Sequence, residues 1–396
     1  MELKRAEKIL LECLRANGDE INSLGLDRIS SADWDLVIQK SIRHSVSPLL
    51  YRSLKKLRSE VSIPAEVLKR LHEIYLQSVA RNMRLYHDLS KRLKILEDYN
   101  IPVIILKGAH LSELVYKNIG FRSMSDVDLL IRKEDLARAQ ERLMEAGYSP
   151  IDNRLPLDLH WNIDLSIANL NIDIEEIWEK ARPDIIAGVK VLVLSPEDLL
   201  LHLCTHQSFH HLFDFAGLRA FCDIRETIRQ YQDKMDWEQV RSRSKEWGAS
   251  NAVFLTLLLA RDMVGAQIPK AFITALKPDE SDVRARKWAI EQIFLEASDE
   301  HSYSPYFWEL WKPGPFRDKL ATFLKLLFPS REFVSQKYPA PFGSKKNYFY
   351  YLVRFKDHLI RYTSVFWRIL IRDERTLRLV NKQKQNIAMR EWLSSE

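Results

Sequence analysis

Residues 101–131, IPVIILKGAHLSELVYKNIGFRSMSDVDLLI, decide the fold. Their first six residues, IPVIIL, are β-branched and almost wholly apolar, which predicts a short buried strand. Lys107 and Gly108 end that strand, and residues 109–117 read as helix. Residues 125–131, SDVDLLI, predict a second strand. Residues 134–146 then form an amphipathic helix, with Gly147 placed for a left-handed C-cap. Residues 155–163 (LPLDLHWNI) alternate as a third strand, and residues 189–194 (VKVLVL) make a fourth.

Outward from this unit the pattern is helical on both sides. Leu10, Leu11 and Leu14 recur at helical spacing, as do Leu85, Leu89, Leu93 and Leu96. Pro64 suits the start of a new helix after the break at Ile63. Ser195-Pro196-Glu197-Asp198 reads as a helix start with Ser195 as N-cap. The expected class is therefore α+β, a small mixed sheet flanked by helical regions. The expected boundaries are 1–98 for the N-terminal helical region, 99–195 for the α/β core and 196–396 for the C-terminal helical region.

The 396 residues are 46% hydrophobic and 29% charged, an ordinary globular balance that supports a large core. The net charge of +6 suits an anionic partner, a nucleotide, a nucleic acid or a membrane surface, without choosing among them. Three cysteines, Cys13, Cys204 and Cys222, with no paired spacing, argue against a disulfide framework or a zinc finger. The first residues, MELKRAEKILLECL, carry charge at every turn, unlike a signal peptide, and no window is apolar enough to span a membrane. A cytoplasmic location is expected.

The chemistry centres on Asp126-Val127-Asp128. Residues two apart on a strand share a face, so both carboxylates point one way while Val127 and Leu129 point to the core. Two like charges that close repel, and a divalent cation resolves the repulsion, with hard oxygen ligands favouring Mg2+ or Mn2+. Alone, such a pair is a weak signal, more commonly a solvated strand face or helix-capping acids. The third strand adds Asp158, on the same face as His160 and Asn162, and Gly108 offers a turn whose backbone N–H groups can cradle phosphate. Three acids from two strands opposite a glycine turn suit metal-assisted handling of a triphosphate.

The run IPVIILKGAHLSELVYKNIGFRSMSDVDLLIRKEDLARAQERLMEAGY, followed by LDLHWNI, resembles the bacterial family known as uncharacterised nucleotidyltransferases, within the DNA polymerase beta-like superfamily. SIRHSVSPLLYRSL upstream, and LSPEDLLLHLCTHQSFHH, CDIRETI and MDWEQV downstream, resemble its helical flanks. The resemblance implies that Asp126 and Asp128 bind metal, that Asp158 is the third carboxylate, and that Gly108 is the phosphate turn. It further implies a nucleoside triphosphate as substrate, with ATP expected, and an acceptor that the sequence leaves open. Lys107, Ala109, Arg122 and Ser125 complete the expected nucleotide-binding set, with Lys107 or Arg122 neutralising phosphate. One departure is visible. The superfamily's turn is usually Gly-Ser or Gly-Gly with the acid pair closer, whereas here it is Lys107-Gly108-Ala109, and Ala109 has no hydroxyl to offer.

His202, His206 and His210 recur one helical turn apart, with His211 adjacent. Three imidazoles on one face could bind zinc. The preferred reading is that they line the cleft, with His206 and His210 facing the nucleotide or the acceptor. Asp214 and Asp223 read as partners of Arg219 and Arg225 on a solvated helix face. Residues 345–375 mix Tyr348, Tyr350, Tyr351, Phe355, Tyr362, Phe366 and Trp367 with lysines and arginines, which fits peripheral membrane or nucleic-acid contact, or the core face of a terminal helix. The leading expectation is a Mg2+-dependent nucleotidyltransferase. The rival is a catalytically silent nucleotide-binding or scaffold protein that keeps the fold.

Overall fold

A computed structural model describes residues 3–15, 26–57, 62–148, 157–163, 170–214, 217–278, 283–295 and 374–395, together with the single positions 317 and 356. The chain forms two compact units, Met1–Leu295 with Trp392–Glu396, and Glu296–Glu391. Most described residues of the second unit lie in the helix Glu374–Leu393. The basic aromatic stretch 345–375 falls outside the described residues except for Lys356 and the first two residues of that helix.

The first unit opens with four helices, α1 (Arg5–Arg15), α2 (Ser31–Arg43), α3 (Ser47–Leu57) and α4 (Ala65–Asp98). Pro64 is the N-cap of α4, where its missing N–H costs nothing. The sheet has the order β3-β2-β1-β5-β4. Its strands are β1 (Ile104–Ile105), β2 (Val127–Leu130), β3 (Leu157–His160), β4 (Arg182–Ile186) and β5 (Val189–Val193). β2 pairs in parallel with β3 and antiparallel with β1, and β1 pairs in parallel with β5. The expected class, α+β with a small mixed sheet and helical flanks, is the class observed.

β4 is the strand that the sequence reading lacks. Pro183 and Asp184 depress its strand propensity, and a two-residue turn makes it. Ala187 at φ 53° and Gly188 at φ 75° both adopt the left-handed region, which closes an antiparallel hairpin onto β5.

One face of the sheet packs on α4 and on α6 (Leu136–Glu145). Leu85, Leu89, Leu93 and Leu96 meet Ile105, Val127, Leu129, Val191 and Val193, with Ala139 and Leu143 of α6 beside them. Each of the buried leucines, valines and isoleucines contributes roughly 1.5–3 kcal/mol through burial. Because β2 alternates, burying Val127 and Leu129 on this face puts Asp128 on the other. Helix α4 also holds the far side together. The fully buried Asn82 donates to the carbonyls of Ile119 and Arg122, the latter at 2.8 Å, and Tyr86 donates to the Ala109 carbonyl at 2.8 Å.

The opposite face is roofed by two short helical runs. β1 leads into α5 (Lys107–His110), which continues as a π-helical turn through Leu111–Val115. After a short helix, α7 (Ile174–Lys180), and the hairpin, α8 (Pro196–Thr205) begins as expected, with Ser195 Oγ accepting from Asp198 N at 3.1 Å. α8 also widens into a π turn, His206–His210, before α9 (Gly217–Tyr231) returns alongside it. α10 (Trp237–Glu246), α11 (Ser250–Val264), α12 (Lys270–Leu276) and α13 (Val283–Phe294) complete the unit. No described helix is long and apolar enough to cross a membrane.

Candidate functional site

A cleft of about 330 Å³ opens between the polar face of β2 and β3 and the helices α5, α8 and α9, a size within the range of small-molecule sites. Its sheet wall is acidic. Asp128 and Asp158 are paired residues across the parallel β2–β3 ladder, so their side chains stand side by side, and His160 follows two residues later on the same face. Asp126 precedes the first residue of β2 and also lines the cleft, where its Oδ1 accepts from Ser125 Oγ at 3.0 Å.

Asp128 is the pivot. Only 5% exposed, it accepts a hydrogen bond from His160 Nε2 at 3.0 Å on Oδ1 and faces the Lys107 ammonium at 3.1 Å on Oδ2. Burial works against its ionisation, but the hydrogen bond from His160 and the charge of Lys107 overcome that cost and hold its carboxyl well below the ordinary range. Its buried Oδ2 is thus held by the ammonium of a single lysine. Asp158, exposed on β3, shifts the other way, since partial desolvation in the cleft and the neighbouring Asp128 charge push its carboxyl up. Carboxylate oxygens of Asp128 and Asp158 and a ring nitrogen of His160 lie within 4.8 Å of one another, a grouping able to hold a metal ion.

The helical wall carries the nitrogen chemistry. His202, His206, His210 and His211 all line the cleft. An ordinary helix would turn His211 away, but the π turn adds a residue, with His211 N donating to the His206 carbonyl at 3.1 Å. The His206 ring therefore stacks on His210 at 4.7 Å and meets His211 edge-on at 4.4 Å. Burial, then the charge of Lys107, pushes His202 down to about 3, and burial with the His210 neighbour pushes His211 down to about 3. His206 lies well below the ordinary imidazole range for the same leading reason. These rings are neutral at pH 7, and His206 Nε2 sits 2.9 Å from Lys107 Nζ.

Lys107, Gly108, Arg122 and Ser125 line the cleft together with the three acids and with His206 and His210. Gly108 lies in the first turn of α5, where a Cβ would stand 3.4 Å from the Asp126 carbonyl oxygen. Ala109 is not among the cleft-lining residues. It is fully buried, packed in the core beneath Tyr86.

The Asp223 reading is overturned. Asp223 is not on a solvated face; it is 2% exposed and accepts two hydrogen bonds from Arg122 Nε, at 3.1 and 3.0 Å, and one from the Tyr116 hydroxyl at 2.9 Å. The i, i+4 spacing on α9 suggests Arg219 as partner, but a guanidinium 101 residues away takes the carboxylate. Arg219 is thereby released to line the cleft, anchored to the Ser123 carbonyl at 3.2 Å. Burial, with Arg122 nearby, lowers the pKa of its guanidinium. Arg219 is the cleft cation that the sequence reading misses, since nothing local distinguishes it from a surface arginine.

The arrangement provides an acidic wall suited to a cation, facing lysine and arginine suited to phosphate. Searches of curated proteins and of solved structures return no match. A family model described as "Uncharacterised nucleotidyltransferase" matches residues 30–265, spanning helices α2 to α11 and the whole sheet. With more than half of the chain matched and the acidic cleft inside the matched region, the protein belongs to this uncharacterised nucleotidyltransferase family.

Proposed function

We propose that the chain is a divalent-metal-dependent nucleotidyltransferase that moves a nucleoside monophosphate from a nucleoside triphosphate, with ATP as the expected donor, to a hydroxyl acceptor. The observation that carries this reading is Asp128, a buried carboxylate kept ionised beside Asp158 in a cleft that also presents Lys107 and Arg219. The convergence of Asp128 and Asp158 oxygens with a His160 ring nitrogen within 4.8 Å fits a divalent cation held on the sheet wall, with Asp126 at its rim. Bound there, Mg2+ or Mn2+ would neutralise triphosphate charge and polarise the α-phosphate.

The residues of the chain supply the rest. Lys107 and Arg219 would meet the phosphates as cations, while Arg122 is paired with Asp223. Asp158, whose proton affinity is raised, accepts the proton of the acceptor hydroxyl. The oxygen then bonds to the α-phosphorus, the bond from that phosphorus to the bridging oxygen breaks, and pyrophosphate leaves. Positioning and charge stabilisation carry such a transfer, which asks little covalent chemistry of the protein.

The test is thermal unfolding with each of the four common nucleoside triphosphates, with and without Mg2+ or Mn2+, for wild type and for Asp126→Asn/Asp128→Asn. A ligand at about 100 times its Kd adds roughly 2.7 kcal/mol. Metal-dependent stabilisation by one nucleotide, lost in the double variant, is the expected result. Absence of stabilisation by any nucleotide would refute the reading. Stabilisation without pyrophosphate release, whatever acceptor is supplied, would favour the silent nucleotide-binding rival, for which the Lys107–Asp128 ion pair already balances the acid.

A further inference from the structure

We infer that the cation site is a mixed oxygen–nitrogen site, formed by Asp128, Asp158 and His160, that prefers Co2+ or Zn2+ to Mg2+, with Lys107 acting as a displaceable resident cation. This names the metal class of the site that the nucleotidyltransferase reading uses, and it rests on that reading for its role but not for its binding.

The donor set is the first ground. Strand register puts Asp128 beside Asp158 and puts His160 on the same face, and the three donor atoms converge within 4.8 Å. Asp126, the partner expected from the sequence, lies before β2 begins and falls outside this group. An all-aspartate set would be a hard oxygen site, suited to Mg2+. Replacing one carboxylate by imidazole changes the selection. Nitrogen is a borderline donor that Mg2+ binds poorly, while affinity at such sites rises along the first transition series from Mn2+ through Co2+, with Zn2+ also strong.

The second ground is Lys107. Asp128 Oδ2 is buried and its charged partner is the Lys107 ammonium, at 3.1 Å. That ammonium already has a second seat, 2.9 Å away at His206 Nε2. A dication reaching Asp128 therefore displaces an ammonium that keeps a partner, and the fold need not rearrange. Two carboxylates and one ammonium leave one negative charge in this group. Exchanging the ammonium for a dication balances it. Ligation through His160 Nε2 would end the hydrogen bond that this nitrogen now shares with Asp128 and place the ring proton on Nδ1.

The experiment uses the full chain, stripped of metal, with no nucleotide present. Titration calorimetry with CoCl2, ZnCl2, MnCl2 and MgCl2 gives the order of affinities, and the visible absorption of bound Co2+ reports a nitrogen ligand. Expected are one site binding Co2+ and Zn2+ at least ~10-fold tighter than Mg2+, and a loss of ~10-fold or more for Co2+ in His160→Asn with Mg2+ affinity little changed. Lys107→Met should tighten all four cations by removing the competitor. Circular dichroism checks that each variant is folded, and His160→Gln serves as the second substitution at that position. Mg2+ binding as tight as Co2+ would overturn the proposal. So would Co2+ binding that survives His160→Asn but is lost in Asp126→Asn, which would restore the aspartate pair. Binding lost only in His206→Gln/His210→Gln would move the site to the helical wall and equally refute it. Nucleotide stabilisation with Mg2+ is measured separately, so failure here leaves the nucleotidyltransferase reading standing.

Discussion

Asp128 and Asp198 are both buried acids facing a cation, yet their surroundings differ in every other respect. Asp198 sits in the first turn of α8, wholly inaccessible, 2.8 Å from Arg243 of α10, which is itself 2% exposed. Burial pushes the Asp198 carboxyl up even with Arg243 beside it. Asp128 opens onto the cleft, and its cation is a lysine on a flexible four-carbon stem with 19% exposure and an alternative partner in His206. The first pair is fastened between two packed helices and ties α10 to α8. The second holds a charge ready for exchange. Burial alone therefore does not separate a structural acid from a functional one; the freedom of the partner does.

The comparison breaks most visibly under substitution. Asp198→Ala should cost about 3–5 kcal/mol in urea unfolding, because the buried Arg243 would lose one of its two carboxylate partners and keep Glu176. Asp128→Asn should lower the unfolding free energy far less, since Lys107 retains His206 and Asp158 loses a repelling neighbour, while metal binding disappears. Equal destabilisation by the two variants would make Asp128 a structural acid and end the distinction.

Arg219→Gln sharpens the comparison from the phosphate side. Its guanidinium lines the cleft, anchored to the Ser123 carbonyl, so its loss should weaken triphosphate or pyrophosphate binding roughly 10- to 100-fold, as expected for about 1.5–3 kcal/mol of charged hydrogen bonding. Metal affinity measured without nucleotide should not move. A parallel loss of metal binding would show that Arg219 supports the acidic wall instead.

The smallest effect is a pH dependence. His202 titrates near 3 in the fold, lowered by burial and then by Lys107, against about 6.5 when unfolded. The native state thus favours neutral imidazole, and between those values the unfolded chain binds a proton that the fold does not. Stability contributed this way is complete above about pH 6.5 and declines as pH falls toward 3, by up to about 1.4 kcal/mol per unit. Urea unfolding at pH 7, 6 and 5 should show the slope, reduced by that amount in His202→Gln. An unchanged slope would assign the acid sensitivity to other groups, such as His110, whose imidazole burial also pushes down to about 3.

The sequence by itself determined the element types along most of the first unit, and which way the acids point. Period-two alternation in SDVDLLI and LDLHWNI puts Asp128, Asp158 and His160 on one face, and Ser195-Pro196 starts α8, because these are properties of neighbours along one chain. Only the tertiary structure decided who meets whom. Arg122 claims Asp223 from 101 residues away, which frees Arg219 for the cleft, and Lys107 lands between Asp128 and His206. The π turn that gathers His210 and His211 and the hairpin that creates β4 are likewise invisible to periodicity. Local spacing fixes the direction of a side chain relative to its own element. The partner it finds depends on how distant elements pack and on which charges burial forces together.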